Sequence, residues 1–224
     1  QVIRPSFARK VNNPFLLKQP SVPALIKLFN SMLLKYALNI LLLFLNEYWH
    51  NRLSEDKYMR DTLTGLYFRE VFLRKLSDLI FTGGERQTLP ISLLMIDVDN
   101  YKEINDIFGH QRGDAVLRDI ARLLEKAIRG YDLAGRYGGD EFILALPNTS
   151  PASGRLVANR IRSRIEKAQI MGLIRKITIS VGLSHYPTDS RLMEELIQKA
   201  DHCLLQAKKM GKNTVVTTHS ALRS

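Results

Sequence analysis

The sequence has 224 residues, of which 45% are hydrophobic and 25% charged, an ordinary globular composition with room for one α/β domain and an appendage. The single cysteine, Cys203, excludes an internal disulfide. The net charge of +11 would suit a nucleic acid, an anionic lipid or a polyanionic small molecule, but no basic block with interleaved aromatics is present, so we expect no nucleic-acid partner.

The first 60 residues hold a disproportionate share of the positive charge, with nine Lys and Arg against three Asp and Glu. Residues 1–23 contain four prolines among basic and polar residues, which predicts an irregular lead-in or linker. Because the sequence begins with Gln1 and not with Met, we expect it to be a piece of a longer protein with an upstream part, such as a sensor domain.

A helical segment is predicted at residues 24–60, because residues 24–58 contain no Pro or Gly and are rich in leucine. Its near-heptad spacing favours a helix that packs against its copy in a homodimer. A membrane span of roughly 20 apolar residues, interrupted here by polar residues, and a helix that packs on its own domain are the alternatives. The near-heptad positions are Leu34, Leu38, Leu41, Leu45 and Tyr48.

The remaining residues, 61–224, alternate between helical and strand patterns. Amphipathic patterns predict helices at 70–81, 114–129, 150–169 and 192–210, and a short helix or turn at 100–108. Apolar runs predict strands at 91–98, 133–137, 141–146, 176–186 and 214–218. This order predicts an α+β sandwich with a mostly antiparallel sheet flanked by helices.

Two acidic pairs follow predicted strands. Asp97 and Asp99 end the first apolar run, where the period of two puts both on one face. Asp140 and Glu141 follow two adjacent glycines on a turn between two strands. That turn alone could be an ordinary hairpin with solvated acids. Placed side by side in one sheet, the two acidic tips would form a two-metal site for phosphoryl or nucleotidyl transfer.

Residues 138–142 read GGDEF, and the sequence resembles the GGDEF family of diguanylate cyclases, which condense two GTP into cyclic di-GMP. The resemblance extends over about residues 61–218 and implies a cytoplasmic catalytic domain at residues 61–224 with a fold like that of nucleotide cyclases and polymerase palms. Four further blocks match the family in order and spacing: DTLTGL at 61–66, DVDNYKEIND at 97–106, FGHQRGD at 108–114, and AD through AKKMGKN at 200–213.

The resemblance also implies which residues carry the chemistry. Asp97, the backbone carbonyl of Val98 and Glu141 match positions that bind two Mg²⁺ or Mn²⁺ ions per active site. Asp140 matches a further ligand or the catalytic base, and the sequence does not separate these two roles.

Another set of positions matches the GTP-binding residues of the family. Asn105 and Asp114 match the positions that recognise guanine, and each alone would be an ordinary helix cap or surface group. The positions that would contact the rest of the nucleotide are Tyr101, Lys102, Gly138, Gly139, Lys208 and Lys212.

Residues 129–132 read RGYD and match the RxxD motif that lies just ahead of GGDEF in product-inhibited members. By this resemblance Arg129 and Asp132 would bind cyclic di-GMP, with Arg160 on the following helix as a second contact. The alternative is a surface ion pair between Arg129 and Asp132.

The interpretation that follows is a metal-dependent diguanylate cyclase with product feedback. Each domain holds one GTP, so we expect a homodimer, assembled through the helix at residues 24–58. The main alternative is a catalytically inactive GGDEF domain that senses cyclic di-GMP or GTP. A third hypothesis is a scaffold attached to the inner membrane by the same helix.

Overall fold

The structure is a computed structural model that describes residues 21–82, 89–170 and 176–218, with the backbone alone for residues 47–58 and 82. The chain divides into two compact units, Gln1–Glu55 and Asp56–Ser224. Most of the predicted lead-in lies outside the described residues.

The first helix, α1, spans Val22–Tyr58. The Ser21 carbonyl accepts hydrogen bonds from the amides of Ala24 and Leu25 at 2.8 and 3.0 Å, so Pro23 lies in the first turn, where its missing N–H is harmless. The predicted lead-in therefore ends earlier than residue 23. From Val22 to Asn46 every residue of α1 is exposed.

The apolar part of α1, Val22–Asn46, has a mean hydropathy of 1.7 and is long enough to cross a membrane by length and composition. Its large apolar side chains are 37% to 72% exposed. Four of the five near-heptad positions are among them, and Tyr48 lies outside the described side chains. A helix that is apolar on all sides needs a cover on more than one side.

The second unit is built on a six-stranded sheet with the order β1-β3-β4-β2-β5-β6. The inner pairings are antiparallel, and β1 with β3 and β5 with β6 are parallel. This mixed sheet with flanking helices confirms the predicted α+β fold. The strands are β1, Tyr67–Phe68; β2, Ile91–Val98; β3, Leu133–Arg136; β4, Glu141–Pro147; β5, Ile179–Tyr186; and β6, Val215–Thr217.

Helices cover both faces of the sheet. Alternate side chains of β2 enter two core clusters: Leu94 and Ile96 pack with α4 and α5, while Leu93 and Met95 pack with α2 and α6. Because both faces are covered, β2 is a largely apolar strand that is buried throughout. The helices are α2, Arg69–Thr82; α3, Tyr101–Phe108; α4, His110–Glu125; α5, Pro151–Lys167; and α6, Met193–Lys209.

Two details differ from the sequence prediction. Helix α4 begins at His110 and not at residue 114, because Gly109, with φ of 82°, both ends α3 and precedes α4 without a loop. The strand β1 was not predicted, since two residues show no periodicity. The predicted cap of α5 is confirmed: the Ser150 hydroxyl accepts from the Ser153 amide at 3.3 Å.

Candidate active site

The sheet register brings the two acidic strand ends together. Asp97, near the end of β2, is the direct cross-strand partner of Glu141, at the start of β4. The Val98 amide donates to the Asp140 carbonyl at 3.3 Å. Directly opposite residues have Cβ atoms about 4.5–5.5 Å apart. Asp97, Asp140 and Glu141, called the acidic edge below, therefore lie side by side, as the sequence predicts.

Asp97 carries the strongest electrostatic perturbation of the acidic edge. Burial raises its pKa, Lys208 lowers it, and Asp140 and Glu141 raise it again, so that the pKa of Asp97 is raised to about 6. The Lys208 ammonium donates to Asp97 Oδ2 at 2.6 Å. Burial lowers the pKa of Lys208, but the three carboxylates outweigh burial and raise it. One lysine thus balances three acids only in part.

The oxygen donors of the acidic edge fit a hard divalent cation in type and register. Two carboxylates face each other across adjacent strands. Burial is the main cause of the raised pKa of Asp97, and the charges of Asp140 and Glu141 add to it. Within the described residues, no three His, Cys, Asp or Glu side chains are grouped closely enough to hold a metal ion by themselves. The Lys208 ammonium supplies the positive charge beside Asp97.

Arg136 fixes the turn between β3 and β4. Its guanidinium donates to the Gly139 carbonyl through Nε at 3.2 Å and Nη2 at 2.7 Å. Its Nη1 also donates to both carboxylate oxygens of Asp61 at 3.1 and 3.2 Å, and Asp61 in turn accepts from the amide and hydroxyl of Thr64. The turn at residues 61–66 is therefore tied to the acidic turn, a connection that the sequence analysis missed.

The two glycines of the acidic turn have different surroundings. A Cβ at Gly138 would lie 2.5 Å from Oε2 of Glu141, whereas a Cβ at Gly139 would meet nothing within 4 Å. The Glu141 carboxylate folds over Gly138, so the absence of a side chain there sets the position of a member of the acidic edge. At Gly139 the exposed backbone leaves room for a ligand.

Asp99 uses its carboxylate differently from Asp97. It is 7% exposed and reaches Ser180, the residue paired with Asp97 across β2 and β5. Its oxygens accept from the Ser180 hydroxyl at 2.6 Å, the Thr178 hydroxyl at 2.7 Å and the Asn213 amide at 2.9 Å. With three donors, Asp99 fastens β2 to β5 and to the loop before β6.

The predicted guanine-binding residues come together where α3 meets α4. The side-chain oxygen of Asn105 is buried and has no hydrogen-bond partner within the described residues. A Cβ at Gly113 would lie 1.9 Å from that oxygen and 3.0 Å from the Tyr101 hydroxyl. The pKa of Tyr101 is raised by burial and by the charges of Asp114 and Asp140. The unpartnered amide oxygen is a ready acceptor for a ligand donor.

Three lysines from the sequence prediction lie around these groups. Lys208 pairs with Asp97, and Lys212, in the loop before β6, donates to the side-chain oxygen of Asn100. Lys102 is exposed on α3. The structure thus brings Lys208 to the acidic edge and Lys212 to the residue after Asp99, and leaves Lys102 in solvent.

The three residues predicted to bind a product also meet. Arg129, Asp132 and Arg160 line one cavity of about 140 Å³. Asp132 Oδ2 accepts from the Arg129 amide at 2.7 Å, while its Oδ1 is buried and has no partner within the described part of the chain. Burial raises the pKa of Asp132. The Arg129 guanidinium donates to the Tyr131 hydroxyl rather than to the Asp132 carboxylate.

The chain is similar to known proteins both in sequence and in fold. A family model described as "Diguanylate cyclase, GGDEF domain" matches residues 58–214. Diguanylate cyclase A of Treponema denticola is 38% identical over 168 residues, which cover 72% of this chain and 45% of that protein. The chain spans less than half the length of the curated relatives that it matches.

Two solved structures extend the comparison. Diguanylate cyclase SiaD of Pseudomonas aeruginosa, in complex with its activator SiaC, aligns with a TM-score of 0.72 at 30% identity, covering 88% of this chain and 76% of that chain. The coiled coil and GGDEF domain of DgcB from Caulobacter crescentus, in complex with c-di-GMP, aligns with a TM-score of 0.68 at 25% identity, covering 85% and 99%.

Proposed function

Because the chain belongs to the GGDEF family of diguanylate cyclases, we propose that it condenses two GTP into cyclic di-GMP and two pyrophosphates. The observation that carries this proposal is the cross-strand pairing of Asp97 with Glu141 beside Asp140. Carboxylates grouped at one sheet edge can bind the divalent cations that nucleotidyl transfer uses.

The reaction consists of two equivalent transfers. In each, the 3′ oxygen of one GTP attacks the α-phosphorus of the other, the bond from that phosphorus to the bridging oxygen breaks, and pyrophosphate leaves with the electron pair. The proton of the 3′ hydroxyl must be taken up as the new ester bond forms. Asp140 is the carboxylate that we assign either to this uptake or to cation binding.

Diguanylate cyclases of this family are generally metal-dependent. Asp97, the Val98 carbonyl and Glu141, with Asp140, are the donors that would hold two Mg²⁺ or Mn²⁺ ions. Ions bound there would neutralise the triphosphate and lower the pKa of the attacking hydroxyl.

The remaining assignments concern GTP itself. Asp114 would accept hydrogen bonds from guanine N1–H and N2–H₂, and the Asn105 amide would complete the recognition of the base. The Gly138 and Gly139 backbone would approach the phosphates. Further contacts to the nucleotide are assigned to Tyr101, Lys102, Lys208 and Lys212.

The test of the enzyme assignment is turnover by the purified chain. We expect cyclic di-GMP and pyrophosphate from GTP and Mg²⁺, detected by chromatography, and loss of both in Asp140→Asn, Glu141→Gln. Glu194→Gln, an exposed carboxylate change in the first turn of α6, is the control and should retain activity. GTP binding without turnover by the wild type would favour the alternative, an inactive sensing domain.

We further propose that the active form is a homodimer held by α1. Each domain provides one GTP site, so two must face each other for both transfers. The exposed Leu34, Leu38, Leu41 and Leu45 support this assignment, as does the presence of a coiled coil together with the GGDEF domain in the DgcB structure. Leu38→Lys, Leu41→Lys should abolish dimers in sedimentation velocity and cut the specific activity.

The alternative to a dimer helix is that α1 binds a membrane, and the double lysine variant distinguishes the two. The 25 residues of Val22–Asn46 with mean hydropathy 1.7 would support attachment of a cytoplasmic catalytic domain to a membrane. In that case the wild type would co-sediment with liposomes, the double lysine variant would not, and the oligomeric state without lipid would not change.

Product feedback is proposed at the cavity lined by Arg129, Asp132 and Arg160. Guanidinium groups suit the guanine edges and phosphates of cyclic di-GMP, and the buried unpartnered oxygen of Asp132 suits a donor of the base. Arg129→Ala should raise the cyclic di-GMP concentration needed for half inhibition by about tenfold or more, the loss of a single charged contact. Arg155→Ala, exposed on α5, is the control; equal inhibition of both variants would reject this site.

A further inference from the structure

Three side chains form a hydrogen-bonded ring that links α5 to the loop before β6. Arg162 and Glu166 lie on α5, and Asn213 lies in the loop; together they are called the α5 cluster. Arg162 Nη1 donates to Glu166 Oε2 at 3.0 Å and to Asn213 Oδ1 at 2.7 Å. Asn213 Nδ2 donates to Glu166 Oε1 at 3.0 Å. Each member therefore contacts both others.

Charge keeps the α5 cluster together at neutral pH. Hydrogen bonds from Asn213 and Arg162 lower the pKa of Glu166. The Arg162 and Glu166 side chains are 22% and 29% exposed. An ionised carboxylate that accepts from a guanidinium and an amide at once favours this one arrangement of the loop.

The loop that the cluster holds has an unfavourable backbone conformation. Lys212 and Asn213 have φ of 66° and 46°, and Asn100, across from them, has φ of 57°. Asparagine tolerates this left-handed region, whereas other residues with a side chain rarely adopt it, so the cost falls mainly on Lys212. Without the cluster, the loop would relax toward ordinary φ values and would redirect the side chain of Lys212.

The loop is also fastened on its other side, close to the acidic edge. The Asn213 amide donates to Asp99 at 2.9 Å, two residues beyond Asp97. The Lys212 ammonium donates to Asn100, and the Lys212 amide donates to the Ala207 carbonyl at 3.1 Å. The α5 cluster, Asp99 and α6 thus fix the one lysine of this loop from three directions.

We propose that Arg162 and Glu166 are positioning residues that aim the Lys212 ammonium at the triphosphate of the bound nucleotide. This inference rests on the proposed function in two respects: the nucleotide is GTP, and Lys212 is one of its contacts. Neither residue needs to touch the ligand: they act through Asn213 and the backbone of the loop. Their loss should weaken nucleotide binding because the lysine no longer lies where the phosphates are.

The first measurement is the affinity of the full chain for a fluorescent GTP analogue in Mg²⁺ buffer, which needs no turnover. We expect Arg162→Gln and Glu166→Gln to weaken binding about fivefold, equivalent to one weakened charge contact. Arg162→Lys should recover only part of the loss, since the lysine ammonium keeps the charge but is more strongly hydrated and is carried on a more flexible side chain. Arg155→Gln, an exposed arginine change on the same helix, is the matched control and should bind as the wild type does.

A double-mutant cycle separates positioning from general stability. In a Lys212→Met background, Arg162→Gln should weaken binding less than about 1.5-fold further, because the group through which it acts is absent. Equal losses in both backgrounds would overturn the proposal. So would a wild type that fails to bind the analogue. A wild type that binds but makes no cyclic di-GMP would reject the proposed reaction and leave the positioning role intact.

Discussion

Asp97 and Asp99 stand two residues apart at the same end of β2, and their surroundings are opposite. Asp97 shares one lysine with two further carboxylates, and its pKa is raised to about 6. Asp99 accepts from two hydroxyls and a backbone amide. At Asp97, where a cation and a triphosphate would bind, one lysine only partly balances the negative charge. At Asp99, which links β2 to β5 and to the loop before β6, both carboxylate oxygens accept hydrogen bonds. The chemistry of a carboxylate is therefore set by its neighbours and not by its place in the motif.

The largest effect on activity should come from substitution of Asp97. Asp97→Asn is expected to lower kcat/KM for GTP by about 100-fold or more, the usual loss when one charged group of a catalytic site is removed. The free energy of unfolding should change by less than about 1 kcal/mol, because removal of a buried charge and of its repulsion with the other acids offsets the lost contact with Lys208. Product formation and urea denaturation measure the two quantities. A loss of activity that tracks a loss of folded protein would contradict the assignment.

The opposite pattern is expected for Asp99→Asn. An amide at this position presents N–H groups to donors, so the variant should lose about 3 kcal/mol of unfolding free energy in urea denaturation. Asp106→Asn, an exposed change on α3, is the control and should shift the unfolding free energy by less than about 0.5 kcal/mol. If Asp99→Asn unfolds like the wild type, Asp99 does not have the fastening role and the contrast with Asp97 fails.

Asp61 is a second carboxylate whose oxygens accept hydrogen bonds from the protein, and its contribution to stability should depend on pH. Burial alone would raise the pKa of Asp61, but the hydrogen bonds from Thr64 and the charge of Arg136 outweigh it and lower the pKa. Because the folded pKa lies below the unfolded value of about 3.9, its stabilisation is complete above about pH 4 and is lost as pH falls through the folded pKa.

Asp61→Asn should therefore cost about 1–2 kcal/mol of unfolding free energy at pH 7. The difference from the wild type should shrink when urea denaturation is repeated below about pH 4. A difference that stays constant down to the lowest pH at which both proteins fold would show that Asp61 stabilises the turn by shape and not by charge.

The sequence predicted those parts of the molecule that local patterns encode. Apolar periodicity predicted β2, β4 and β5 within a few residues, and the Ser150 cap of α5 followed from a capping residue before a helical pattern. The convergence of the acidic edge was predictable because each acid lies in or next to the end of a strand, so pairing in one sheet suffices to bring them together.

Other features depend on contacts that no local pattern records. Arg136 meets Asp61 across 75 residues of sequence, and Arg162 meets Asn213 across 51. An arginine before a turn or on a helix face is ordinary in sequence, and only the packed structure supplies its partner. The same holds for Asp99, whose spacing matches that of a metal ligand although its donors lie on β5 and in the loop before β6.

The smallest effects should come from the two glycines of the acidic turn, and they test how the acidic edge is shaped. Gly138→Ala would place a methyl group 2.5 Å from the Glu141 carboxylate. The carboxylate is the free end of a flexible side chain, so the variant should lose less than about 1 kcal/mol of stability. Displacement of Glu141 should nevertheless reduce kcat by about tenfold.

Gly139→Ala is the matched change, because its methyl group would meet no protein atom within 4 Å and its φ lies outside the left-handed region. Its thermal unfolding midpoint should equal that of the wild type, so any rise in KM for GTP reports the ligand itself. We expect a rise of about threefold with little change in kcat, because a methyl group would hinder the approach of the phosphates to the backbone without moving Glu141. If instead Gly139→Ala lowers kcat as much as Gly138→Ala does, the turn acts as one rigid unit and the separate role of Gly138 beneath the Glu141 carboxylate is rejected.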